Sequence, residues 1–126
     1  MQTSFLFAIA LGAALGAWLR FGLGNALNPA HPHLPLGTLA SNLIGGYLIG
    51  IAVAYFADHP GVTQETRLFI VTGFLGGLTT FSTFSAETVG MLLKEQYGWA
   101  LTTISAHLLG SLAMTLAGIW TVKLFR

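Results

Sequence analysis

The chain of 126 residues contains no cysteine, so disulfides, thiolate metal sites and cysteine nucleophiles are all excluded. Charge is nearly as scarce. Five basic and four acidic side chains make up 7% of the residues, where a soluble domain carries about 25%. So few charges cannot wet the surface of a globule this size, and a net charge of +1 makes no basic face for nucleic acid. With so few titratable groups, no paired carboxylates, phosphate-binding glycine loop or Ser–His–Asp set can be assembled, and no enzyme is assigned. His31 and His33 flank a proline without nearby carboxylates and suggest no metal site. Proline is rare too, and three of the four lie in the segment from Asn28 to Pro35.

What is abundant is apolar: 54% of the residues are hydrophobic, and 16 are glycine, a residue commoner in membrane helices than in soluble ones. A hydrocarbon core about 30 Å thick takes roughly 20 helical residues per crossing. The charges mark four such segments, predicting an all-α membrane protein with helices over about 4–26, 36–57, 66–93 and 98–124 in a single domain, 1–126. The proline-rich segment, Asp58-His59-Pro60-Gly61 and Lys94–Gly98 supply the connections, and Thr63 offers an N-cap. The apolar N-terminus lacks a basic leader and reads as the first helix, not as a signal peptide. In this arrangement Arg67, Lys123 and Arg126 share one side of the membrane and Arg20 and Lys94 the other. That is almost no positive-inside bias. It is either the noise of small counts or the mark of a chain that inserts both ways up.

Polar side chains inside hydrocarbon are costly and face a bundle interior, a cavity or a partner. In the first helix Gly12 and Gly16 form a GxxxG, read as packing, with Arg20 one turn beyond. In the second, Asn42, Gly46, Gly50 and Ala54 recur every fourth residue. That narrow stripe must lie against another helix, which leaves Asn42 as interhelical glue or as a donor along a path. The third helix holds the strongest local signal. Gly73, Gly76 and Gly77 are followed by Thr79, Thr80, Ser82, Thr83 and Ser85, five hydroxyl residues in seven. Poor helix formers at mid-membrane depth predict a break, tolerated only where the backbone is buried in protein or lines water. Carbonyls freed at such a break can hold a small cation. Phe81 and Phe84 share a face, and Glu87 is the one carboxylate that can lie within the membrane boundary. In the fourth helix His107, Ser111 and Thr115 form one polar face.

These residues resemble a known family, the bacterial Fluc (CrcB) fluoride channels. The likeness spans essentially the whole chain: Gly16-x-x-x-Arg20; Pro35-x-Gly37-Thr38-x-x-x-Asn42-x-x-Gly45; Gly76-Gly77-Leu78-Thr79-Thr80-Phe81-Ser82-Thr83-Phe84-Ser85-x-Glu87; and His107-Leu-Leu-Gly-Ser111. The third string is the specific one. The resemblance implies passive exit of cytoplasmic fluoride, hence fluoride resistance, through a multi-pass protein of the bacterial inner membrane. It implies an antiparallel, dual-topology homodimer with two fluoride pathways at the dimer interface. A structural sodium ion there would be held by the carbonyls of Gly76 and Thr79. The anion pathway would involve Asn42, Phe81, Phe84, Ser82, Thr83, Ser111, Thr115 and Glu87, with Arg20 in a vestibule. Two readings compete with it. A proton-coupled small multidrug exporter needs an embedded acid, which the first helix lacks and Glu87 supplies only near an end. A non-conducting assembly subunit leaves the hydroxyl–aromatic cluster without a purpose.

Overall fold

The computed structural model describes residues 2–126, and among them there is no strand. Helix α1 (Thr3–Leu27) runs into a short 3-10 turn, Asn28–Ala30, and α2 spans Leu36–Asp58. The next passage is composite: α3 (Gln64–Arg67), a π-helical segment (Leu68–Leu75), α4 (Gly76–Leu78) and α5 (Phe81–Leu93). Helix α6 (Tyr97–Leu124) closes the chain. Four of these runs are long and apolar enough to cross a membrane: Thr3–Ala30, Leu36–Asp58, Gln64–Leu93 and Tyr97–Leu124.

The inside and outside are distributed as lipid requires. Lipid tails are as apolar as leucine, so bulky aliphatics gain nothing by turning inward, and helix contacts select small and hydrogen-bonding residues instead. Phe7, Trp18, Phe21, Leu109 and Trp120 accordingly point outward, while the buried residues of α2 are Gly37, Thr38, Ser41, Gly45, Gly46, Gly50 and Ala52. Most inward hydroxyls satisfy themselves on their own helix. Ser41, Thr88, Thr103 and Thr121 each donate to the carbonyl four residues back, at 2.8–2.9 Å.

Glycine determines which helices touch. A methyl group on Gly12 would collide with the Phe69 carbonyl, one on Gly16 with the Phe74 carbonyl, and one on Gly77 with the Ala13 carbonyl. Contacts advance together along both elements, so α1 and the third passage run parallel, as alternating crossings demand. The predicted small stripe of α2 meets α6 in the same manner: Gly50 faces the Thr115 carbonyl and Gly118 the Tyr47 carbonyl, and Tyr47 Oη lies 2.8 Å from Thr121 Oγ1.

The connections cap what they join. Asn28 Oδ1 accepts from the Gly37 and Thr38 amides at 2.7 and 3.1 Å, supplying α2 with a cap from nine residues upstream. Thr63 accepts from the Thr66 amide at 3.2 Å, as its position before Glu65 predicts. Between α5 and α6 the chain reverses through Glu95, whose φ of 59° is left-handed, and Gln96 N–H closes on the Met91 carbonyl at 2.8 Å.

Backbone contact at these glycines makes a sharp expectation. Gly50→Ala, which pushes a methyl into the Thr115 carbonyl, should destabilise the bundle by about 1–3 kcal/mol, the cost of overpacking. Gly22→Ala, with nothing near its Cβ position, should leave stability unchanged or slightly raised. Thermal melting of the two purified variants in detergent compares them directly.

Candidate functional site

Between α4 and α5 the backbone is extended at Thr79 (φ −90°, ψ 155°) and Thr80 (φ −151°, ψ 118°). Two residues with extended dihedrals leave helix hydrogen bonds unmade, and in hydrocarbon each unmade bond costs several kcal/mol. One side chain meets much of that need. Asn42 Oδ1 accepts from the Thr80 amide at 2.8 Å, and Asn42 Nδ2 donates to the Thr80 carbonyl at 3.0 Å. The side-chain amide of Asn42 thus stands in for a strand neighbour, pairing with both the N–H and the C=O of a single residue.

The rest of the junction is capped around it. Thr80 Oγ1 accepts from the Thr83 amide and donates to Thr83 Oγ1, both at 3.1 Å, and so starts α5. Arg20 Nε donates to the Gly77 carbonyl at 3.0 Å, filling the place the Phe81 amide would take in a continuous helix. Thr79 turns its hydroxyl back to the Leu75 carbonyl at 2.8 Å, and its methyl rests where Gly45 leaves room. Besides Gly77, two further carbonyls lose a helix partner to a side chain. The Thr80 amide, due to Gly76, goes to Asn42; the Thr83 amide, due to Thr79, goes to Thr80 Oγ1.

A second layer lies beside the first. Asn42 Nδ2 also approaches His107 Nδ1 at 3.0 Å, and the His107 ring packs on Phe84 with centroids 4.5 Å apart. Phe84 in turn meets Phe81 edge to face, with centroids 5.5 Å apart and planes at 68°. One helical turn away, Thr38 Oγ1 donates to Glu87 Oε2 at 2.7 Å. Thr115 Oγ1 donates to the Gly46 and Ser111 carbonyls at 3.0 Å, pinning α6 to α2.

Two cavities flank the junction, and Thr80 borders both. A groove of about 500 Å³ is walled by Asn42, Gly76, Thr79, Phe84, His107 and Ser111, with Phe81, 79% exposed, at its edge. A cavity of about 430 Å³ on the other side takes in Arg20, Asn25, Thr38 and Thr83. The predicted residues therefore divide. Asn42, Phe81, Phe84 and Ser111 share the groove with Gly76 and Thr79; Thr83 and Arg20 belong to the second cavity; Ser82 sits exposed, its Oγ 3.4 Å from Thr80 Oγ1. Arg20 is not simply solvated there, since its Nε is spent on Gly77. Sequence reasoning passes over the π-helical segment, the Arg20–Gly77 bond and the Thr38–Glu87 bond. Only the last left a readable sign, a threonine one turn before Asn42 and an acid, Glu87, that is itself a predicted site residue.

Fold and site together define a multi-pass helical membrane protein whose polar groups converge on one unwound, side-chain-capped peptide. The family description CrcB-like protein, Camphor Resistance (CrcB), matches residues 7–119, and the chain belongs to that family. It is 64% identical over 118 residues to a protein of Nitrosospira multiformis called fluoride-specific ion channel FluC, covering 94% of this chain and 92% of that one. Proteins of the same name from Thiobacillus denitrificans (56% identical, covering 99% of this chain and 100% of the relative) and Cupriavidus pinatubonensis (56%, covering 93% of each) are also similar.

The Asn42 bracket can be tested apart from any transport. Asn42→Asp keeps the acceptor for the Thr80 amide but sets oxygen against the Thr80 carbonyl and His107 Nδ1. Leaving a buried acceptor unpaired costs about 1–3 kcal/mol. A lower melting temperature than wild type is expected, and hydrogen exchange at the Thr80 amide should stay slow while that of its neighbours accelerates.

Proposed function

We propose that this chain forms a passive, fluoride-selective channel through which cytoplasmic fluoride leaves the cell. The observation that carries the reading is the junction itself, Asn42 closing on Thr80 beside a groove edged by Phe81 and Phe84, in a chain 64% identical to a fluoride-specific ion channel. Fluoride is small and strongly hydrated, so a path must replace its water with donors and positive partial charge. Hydroxyls such as that of Ser111 donate. Phenylalanine edges are electropositive. Phe81 and Phe84 already meet edge to face, so each ring has an edge turned away from the other's face.

The channel is a homodimer of antiparallel copies, inserted both ways up in the inner membrane. Three cationic residues on one side against two on the other support this, because such a balance gives the membrane no orientation to choose. So does the groove, where Phe81 and Gly76 stand exposed and a second copy would cover them. Anion passage along each groove uses Asn42, Phe81, Phe84 and Ser111. Ser82, Thr83, Thr115 and Glu87 serve its approaches, and Arg20 draws anions into the second cavity.

Sodium fits the same junction. Two of the carbonyls deprived of helix partners, those of Gly76 and Thr79, are hard oxygen donors of the kind that hold a small cation, and both residues border the groove. A sodium ion shared between copies would supply positive charge and neutralise the carbonyl dipoles. Asn42, Arg20 and Thr80 do the work on this chain's side: they occupy the competing backbone groups and leave those two free.

Three measurements test the reading. Liposomes holding the purified protein should release fluoride, followed with a fluoride electrode, from potassium fluoride and not chloride from potassium chloride; equal efflux of both removes the selectivity. Phe81→Leu and Phe84→Leu preserve bulk but lose the electropositive edge. Each should slow efflux about tenfold or more while the dimer elutes normally, since about 1.4 kcal/mol at the barrier is a factor of ten. Near-wild-type efflux would return both rings to packing. For orientation, a reporter fused after Arg126 should read on both faces of the membrane, and two lysines added there should bias it to one; a wholly cytoplasmic wild-type reading rejects dual insertion.

A further inference from the structure

We infer that Thr80 is the threshold of each anion path, the side chain past which fluoride moves between the second cavity and the groove; this rests on the channel reading and deepens it. The second cavity is a shaft along one face of α1. Arg20, Gly24, Asn25 and Asn28 recur on that face, and eight helical residues rise about 12 Å. The lining therefore descends from the end of the first crossing to the break in the third. Arg20, Asn25 and Thr38 make its wall polar, as an approach for a hydrated anion requires. The groove lies beyond, at the depth of the helix break, where its open side meets hydrocarbon or a second copy and not water. Among the described residues Thr80 alone borders both spaces.

The bonding of Thr80 divides along the same line. Its backbone is held from the groove side, by Asn42 Oδ1 at the amide and Asn42 Nδ2 at the carbonyl. Its hydroxyl turns to the cavity side, accepting from the Thr83 amide and donating to Thr83 Oγ1, both at 3.1 Å. Only the oxygen is needed to cap α5, because an N-cap works by accepting. The hydrogen is held by nothing more than a neighbouring hydroxyl, and a hydrogen bond to an anion is about twice as strong as one between neutral groups. It can swing from Thr83 Oγ1 to a passing fluoride and back while α5 stays capped. Ser82 Oγ, exposed and 3.4 Å from Thr80 Oγ1, stands at the same step. An ion shedding its water thus meets a rotating donor where a single residue parts the two spaces.

Thr80 is also a cap, so the substitutions must change charge or bulk at the threshold without removing the cap. Thr80→Asn and Thr80→Asp are the same size, and both residues rank among the best N-caps. They differ by a full negative charge. Repulsion of an anion a few ångströms from a carboxylate should make efflux from Thr80→Asp about a hundredfold slower than from Thr80→Asn, with both eluting as dimers. Equal efflux from the two reduces Thr80 to a cap and overturns the inference. A second test exploits the absence of cysteine from the chain. Thr80→Cys and Gly22→Cys, the latter on the exposed face of α1, are treated with sulfonatoethyl methanethiosulfonate before reconstitution, and labelling is read by mass. Both should take up the label, but only labelled Thr80→Cys should release fluoride more slowly than its own unlabelled sample, by about tenfold or more. Labelled Thr80→Cys with undiminished efflux overturns the inference and leaves the channel standing; so does a Thr80→Cys thiol that the reagent never reaches in protein that conducts. If the Asn and Asp variants fail to elute as dimers, the cysteine pair decides. Absence of efflux from the wild type strikes the channel reading instead.

Discussion

A peptide that leaves the helix inside hydrocarbon must find its partners within the protein, and Thr80 finds both in one amide. The rest of the site is arranged by that exchange. With Asn42 holding Thr80, the Thr83 amide turns to Thr80 Oγ1 and Arg20 takes the Gly77 carbonyl, so the amides that a continuous helix would give to Gly76 and Thr79 go elsewhere. A segment of only two extended residues can thereby persist in a medium where unpaired backbone is scarcely tolerated. It persists because α2 reaches it.

That reach depends in turn on glycine. Asn42 can meet Thr80 only if α2 lies close to the third passage, and Gly45 is what makes room for Thr79 there. On the far side of α2, Gly46 and Gly50 admit the α6 backbone, which carries His107 to within 3.0 Å of Asn42. On the far side of the third passage, Gly12 and Gly16 let α1 approach, which sets Arg20 over the Gly77 carbonyl. Glycine here is less a flexible residue than an absent one. Its missing side chain is the space in which polar groups on three helices converge.

The division of hydroxyls follows the same logic. Ser41, Thr79, Thr88 and Thr103 are satisfied by carbonyls of their own helices and cost the bundle little. Thr38 instead spends its hydroxyl on Glu87, and Thr115 shares its own between the Ser111 carbonyl of α6 and the Gly46 carbonyl of α2. A hydroxyl-rich membrane helix is therefore not a polar strip from end to end. Its few cross-helix bonds sit where α2, α5 and α6 meet, and those are the bonds that hold the groove's walls in register.

Much of this was legible in the residues alone. Four apolar segments separated by charge and proline determine four helices, since about 20 residues span the hydrocarbon whatever their neighbours do. The stripe Asn42–Gly46–Gly50–Ala54 determines that α2 presents a narrow face, and the string from Gly73 to Ser85 marks a place where helix is weakly favoured. Spacing along one helix says nothing, however, about which atom of another element answers it. That Asn42 would meet Thr80, Arg20 the Gly77 carbonyl and Thr38 Glu87 was decided by tertiary packing, across separations of 38, 57 and 49 residues. The π-helical turns from Leu68 to Leu75 belong to the same class, because an apolar run carries no local sign of the register in which its amides close. Local chemistry determined where helices begin, end and weaken; only their close approach through glycine decided which polar groups would satisfy one another, and which would be left free.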